Sequence, residues 1–254
     1  MRTTVVLGAW LLLSGPALAK GGAVEQVKAL LAQKKHAEAF AAAKGATESD
    51  PDDVAAAYLL GRAAFSLGKD AEAKAALDRA ITLDQRLADA WFFRGLVQLQ
   101  QGRPRPATAD FAQAAKLAPG QPHYWLELGK GRRRIGDAPG ALKALRRSLT
   151  GAPAGQAAEA HLAIGNLLSR QGDHPAARAA WEAAVIADPK KVDAHYNLGI
   201  WHQVRGDGAK ALSHYRAAQA LSPNDPQLLK KVIQAHYRLD QFAEAGRARA
   251  AFLA

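Results

Sequence analysis

Apolar residues recur at intervals of three and four along most of the chain, in stretches of about a dozen residues separated by short polar breaks. Between Pro122 and Arg134, for example, Trp125, Leu128 and Gly129 fall on one face at the spacing of an amphipathic helix. The breaks carry glycine, commonly followed by aspartate or lysine (Gly68-Lys69, Gly136-Asp137, Gly172-Asp173, Gly206-Asp207), or they carry proline. Glycine in such a place ends a helix and turns the chain. Proline closes a helix and begins a linker. Period-two runs of Val, Ile, Thr and aromatic residues are missing, and strong helix formers dominate. The pattern predicts an all-α chain built from helix pairs.

The pairs repeat. Gly199, Gly206, Ala211, Tyr215, Ala218 and Pro223 recur thirty-four residues earlier as Gly165, Gly172, Ala177, Trp181, Ala184 and Pro189. The same grid holds Gly129, Gly136, Ala141, Leu145, Ser148 and Pro153, then Gly95, Gly102, Ala107, Phe111, Ala114 and Pro119. The copy before these has Gly61, Gly68, Ala73, Leu77 and Ala80, with Gln85 in the place of proline. Small residues at the first glycine and at the alanine let two helix axes approach. The bulky residue four positions after that alanine fills the gap beside them.

This grid resembles the tetratricopeptide repeat, with small residues at positions 8, 20 and 27, glycine at 15, a bulky residue at 24 and proline at 32. The units run 20–53, 54–87, 88–121, 122–155, 158–191, 192–225 and 226–254. The first unit has Val27 at position 8; the last has Ile233 there and Asp240 at position 15. Degenerate end units are expected where a neighbour is missing on one side. Gln156 and Ala157 fall outside the grid and read as a loop insertion, with a hinge as the alternative. The resemblance implies a right-handed superhelical solenoid of helix-turn-helix units. It also implies a non-enzymatic scaffold that binds protein segments in a concave groove lined by positions 2, 5, 9, 12 and 13 of the first helix of each unit.

Charge gives that groove a sign. The chain has a formal net charge of +11, and the unit 122–155 alone carries +5. In the stretch "LGKGRRRIGD", Lys130, Arg133 and Arg134 occupy groove positions, while Arg132 falls on the packing stripe and is expected to hold its head in water. The groove candidates are Tyr58, Arg62, Lys130, Arg133, Arg134, Asn166, Arg170, Tyr196, Lys230 and Arg238. Groove acids occur only at position 2 (Asp89, Glu159, Asp193), where they suit the positive end of a helix. Lys130/Arg134 and Asn166/Arg170, each one helical turn apart, resemble in kind the pairs with which some members of this family hold a carboxylate. An acidic or extended peptide is the expected ligand. An anionic envelope polymer, or a part in the assembly of a pilus or secretion complex, is the alternative.

Other chemistry finds no support. There is no cysteine, and no H-E-x-x-H, G-x-S-x-G or phosphate-loop motif, so no metal, cofactor or catalytic role is assigned. His161, His195, His202 and His236 sit in packing slots and read as ring-shaped core residues. The basic positions match no nucleic-acid-binding module, so nucleic acid is not an expected partner. The first nineteen residues combine Arg2, an apolar run from Val5 to Leu13, a Ser-Gly-Pro break and Ala17-Leu18-Ala19. That is the pattern of a cleaved secretory signal, with an apolar run well under the roughly 20 residues of a membrane span. Export to a periplasmic or extracellular location is expected, with the mature chain starting at Lys20. Phe252 and Leu253, near an open repeat face, make self-association conceivable.

Overall fold

The structure is a computed structural model and describes residues 20–253. The signal-like stretch 1–19 lies outside the described residues. So do the side chains of Phe252 and Leu253, on which the self-association reading rests.

Among the described residues there are fourteen helices and no strand. They are α1 (Lys20–Ala32), α2 (His36–Ser49), α3 (Val54–Ser66), α4 (Asp70–Leu83), α5 (Ala88–Gln100), α6 (Pro104–Leu117) and α7 (Pro122–Arg134), followed by α8 (Ala138–Ser148), α9 (Ala154–Arg170), α10 (His174–Ala187), α11 (Val192–Val204), α12 (Gly208–Leu221), α13 (Pro226–Arg238) and α14 (Phe242–Leu253). Each odd-numbered helix packs against the even-numbered helix that follows it. None is long and apolar enough to cross a membrane. The chain divides into two compact bodies, one ending at Gln85 and the other beginning at Arg86. The division falls where the repeat grid lacks its proline.

The grid is explained by contact. A methyl group added at Gly199 would stand 2.5 Å from Cε1 of Tyr215, and one at Gly165 2.5 Å from Cδ1 of Trp181. Position 8 is therefore empty because position 24 fills it. In the first unit the bulk changes sides: Val27 stands opposite Ala43, and both are fully buried in one core. Position 15 turns the chain through left-handed backbone, with φ of +83° at Gly172 and +81° at Gly206. The two end units place Lys34 (φ 58°) and Asp240 (φ 57°) there instead. A side chain in that conformation costs roughly 1–2 kcal/mol, which the irregular ends tolerate. Aspartates then start the second helices: Asp137, Asp173 and Asp207 accept hydrogen bonds from the backbone N–H groups of Gly140, Ala176 and Lys210.

The two extra residues are not a loop. Gln156 and Ala157 lie within α9, which at 17 residues is longer than the 13-residue α7 and α11. The helix before it, α8, is short, at 11 residues. The chain absorbs the insertion as an added helical turn because Ala154 to Ala160 contains no helix-breaking residue after Gly155. In the second body the core runs from Leu126 and Leu145 through Leu162, Ile164 and Trp181 to Leu198, so α9 is buried on both sides. This fixes the side chains that α9 turns outward.

Candidate functional site

Helices α9 and α11 carry the walls of a cleft of about 710 Å³, to which α7 contributes Arg133 and α10 contributes His174 and Trp181. Four of the sequence candidates meet there: Arg133, Asn166, Arg170 and Tyr196. They come from positions 12, 9, 13 and 5 of three successive first helices, so the helical stripe places them on one surface.

The amide of Asn166 is held in a known sense. The indole Nε1 of Trp181 donates to Asn166 Oδ1 at 3.0 Å, and an indole N–H can only donate. Asn197 Nδ2 donates to the same oxygen at 2.9 Å. That leaves Asn166 Nδ2 as a donor and Asn197 Oδ1 as an acceptor beside the cleft. Next along α11 stands Trp201. The guanidinium of Arg205 lies 4.5 Å from its ring centroid and that of Arg178 lies 5.1 Å away. His202 meets the ring edge-on at 4.9 Å. Ile200 and Val204 complete an apolar wall, and Val204 is 80% exposed. Arg133, Arg170 and Arg205 are exposed and make no ion pair among the described residues.

Asn197, Trp201 and Arg205 were not among the sequence candidates. They sit one residue after the groove stripe, at positions 6, 10 and 14, in a row of their own at four-residue spacing. A side chain on a helix leans toward the N-terminus, so the residue after the stripe covers the same surface. A row of amide, indole and guanidinium at that spacing is the signal that finds them.

Lys130 requires a correction. It is not a free groove cation: its Nζ lies 2.7 Å from Glu127 Oε1 and 2.5 Å from Glu159 Oε1, joining α7 to α9. Burial opposes the charge on Lys130, yet the two glutamates outweigh it and raise its pKa. Arg132 also departs from expectation. Its guanidinium donates to the carbonyl of Gly140 at 3.2 Å and lies 3.8 Å from Asp137, so it ties α7 to the turn into α8. Arg134 is exposed but does not line the cleft, and Lys230 and Arg238 stand exposed on α13. Tyr58 and Arg62 belong to the body that ends at Gln85, where the Arg62 guanidinium lies 5.7 Å from the Tyr58 ring centroid.

Among the described residues no group of three His, Cys, Asp or Glu side chains is placed to hold a metal ion. His195, His202 and His236 are buried in the packing between helices.

The architecture defines a scaffold made of stacked helix-turn-helix repeats. A tetratricopeptide repeat model matches residues 71–122, 94–158 and 162–226, and a second model of the same repeat matches 30–91. The chain belongs to the tetratricopeptide repeat family, whose members are protein-interaction scaffolds and typically not enzymes. No curated protein sequence matches it. Among solved structures, it is similar to YrrB, described as a repeat protein of this family with an unusual peptide-binding site (24% identity, 73% of this chain, 94% of that one, TM-score 0.61). It is also similar to PilF of Pseudomonas aeruginosa (17% identity, 83% and 95% covered, TM-score 0.72). A third is PilW, a type IV pilus biogenesis factor (17% identity, 77% and 90% covered, TM-score 0.63). At these identities the likeness is one of fold.

Proposed function

We propose that this protein is an exported scaffold that holds an extended, acidic segment of a partner protein in the cleft between α9 and α11. One observation carries the reading. Arg133, Arg170 and Arg205 converge on one cleft without acidic partners, beside an amide pair and an apolar wall. Cations spread only for solubility have no reason to gather there. Charge of this kind steers an acidic partner and speeds its capture, while Trp201 and Val204 supply contact area that salt does not screen. The recognition of carboxylates by arginine through paired N–H groups fits the residue type. The signal-like first nineteen residues support a periplasmic or extracellular location.

The test is capture from an envelope extract. The double reversal Arg133→Glu/Arg170→Glu is expected to abolish capture of the partner that the wild type retains, with the helical circular-dichroism signal unchanged. The single reversal Arg134→Glu, outside the cleft, is expected to leave capture intact. Equal capture by all three proteins would remove the cleft from the account. Mass spectrometry of material recovered outside the cytoplasm is expected to find a mature N-terminus at Lys20.

A further inference from the structure

The cleft is polarised along its length. α11 runs from exposed Asp193 in its first turn to Arg205 at its C-terminal cap. Both residues line the cleft, and Arg170 and Arg133 join Arg205 from the C-terminal ends of α9 and α7. Asp193 makes no ion pair among the described residues. Twelve helical steps separate it from Arg205, roughly 18 Å at 1.5 Å per residue. An extended peptide covers that distance in roughly five or six residues at about 3.3 Å each.

Between the two ends the chemistry changes in a fixed order. Beyond Asp193 comes the amide pair, with Asn166 Nδ2 open as a donor and Asn197 Oδ1 open as an acceptor. These two atoms match the C=O and N–H of one passing peptide unit. Then come Ile200, Trp201 and Val204, and last the arginines. The helix dipole favours an acid at one end of α11 and cations at the other. It gives no reason for a valine 80% exposed and an indole flanked by two guanidinium groups between them.

We infer that the cleft selects a charge-polarised segment, with a basic residue at the Asp193 end, an apolar side chain against Ile200, Trp201 and Val204, and an acidic residue at the arginine end, five or six residues from the base. This rests on the proposed peptide-binding role and sharpens it: the partner is not uniformly acidic. A uniformly acidic segment would set a carboxylate against Asp193. A segment with the inferred order meets a complementary charge at both ends.

Fluorescence anisotropy with labelled heptapeptides, blocked at both termini, tests it. One probe carries lysine first, leucine fifth and aspartate in its last two positions, with alanine and serine elsewhere. A second has the same order reversed, because the amide pair does not fix chain direction. A third replaces the lysine by glutamate. The wild type is expected to bind the better of the two polarised probes roughly fivefold more tightly than the glutamate probe, as one partly exposed ion pair allows. Asp193→Lys is expected to invert that preference, an inversion that loss of fold cannot produce. If the wild type binds the glutamate probe as well as the polarised ones, the polarised reading fails and the simple acidic-peptide role stands. If no probe binds below millimolar concentration, both readings fall.

Discussion

Asp110→Ala lowers the stability of the second body by about 3 kcal/mol. Asp110 lies in α6 with its side chain 6% exposed, and it meets Arg94 of α5, 18% exposed, through two bonds. Arg94 Nε donates to Oδ2 and one terminal nitrogen donates to Oδ1, each at 2.7 Å. The guanidinium also lies 4.6 Å from the ring centroid of Trp91. Removing the carboxylate takes two charge-assisted bonds from a largely desolvated guanidinium, and that desolvation sets much of the size of the penalty. For a chain of this size the loss corresponds to a fall in Tm of roughly 6–12 °C. Urea unfolding followed by circular dichroism measures it. The double variant Arg94→Met/Asp110→Leu is expected to recover most of the loss, because it removes both charges and keeps the volume. A single variant as stable as the wild type would mean that water reaches Arg94.

The helix pairs were legible because their signals are local and repeated. Glycine at position 15 and small residues facing bulky ones each leave a mark at fixed spacing, and five copies reinforce it. Part of the cleft is legible for the same reason: Arg133, Asn166, Arg170 and Tyr196 fall on one helical stripe. Trp201 and Arg205 are not, since they sit one residue past that stripe, at positions 10 and 14. Lys130 failed for a different reason. One of its partners, Glu159, belongs to the next unit and lies inside α9 rather than at its start, because that helix begins at Ala154, while Glu127 sits off the groove stripe. A count of charge by unit records neither pairing. Only the packing of α7 on α9 brings the three groups together. The buried Arg94–Asp110 pair was likewise invisible, because each residue on its own reads as an ordinary solvated charge. The two added residues misled in the opposite sense: a break in a periodic grid suggests a loop, but alanine-rich sequence extends a helix when nothing stops it.

Acid is expected to weaken this fold before its carboxylates titrate, and the reason lies in α11 and α12. His195 Nε2 lies 3.1 Å from the carbonyl of Pro189, which can only accept, so that nitrogen carries the proton. The bare Nδ1 of His195 then accepts from Nδ1 of His214 at 3.3 Å. His202 stacks on the other side of His214, with ring centroids 5.5 Å apart and planes within 14°. A second proton on His214 would place a cation between two rings in a half-buried site. Burial first, then His195 and His202, push the pKa of His214 down from 6.5 to about 4. Burial also lowers those of His123 and His161. The sign follows from these directions. At His214, between pH 6.5 and about 4, the unfolded chain takes up a proton that the folded chain refuses, so stability falls as pH falls, while above that window His214 has no effect. Allowing for water at the open edge of His214, its share of the loss from pH 7 to pH 5 is about 1–2 kcal/mol. Thermal melts at half-unit intervals measure the slope. His214→Gln keeps a hydrogen-bonding side chain that does not titrate and is expected to flatten the fall by about that amount. An unchanged slope in the variant would mean that His214 takes its proton within the folded helix pair, and that the shared proton between His195 and His214 does not order the two rings.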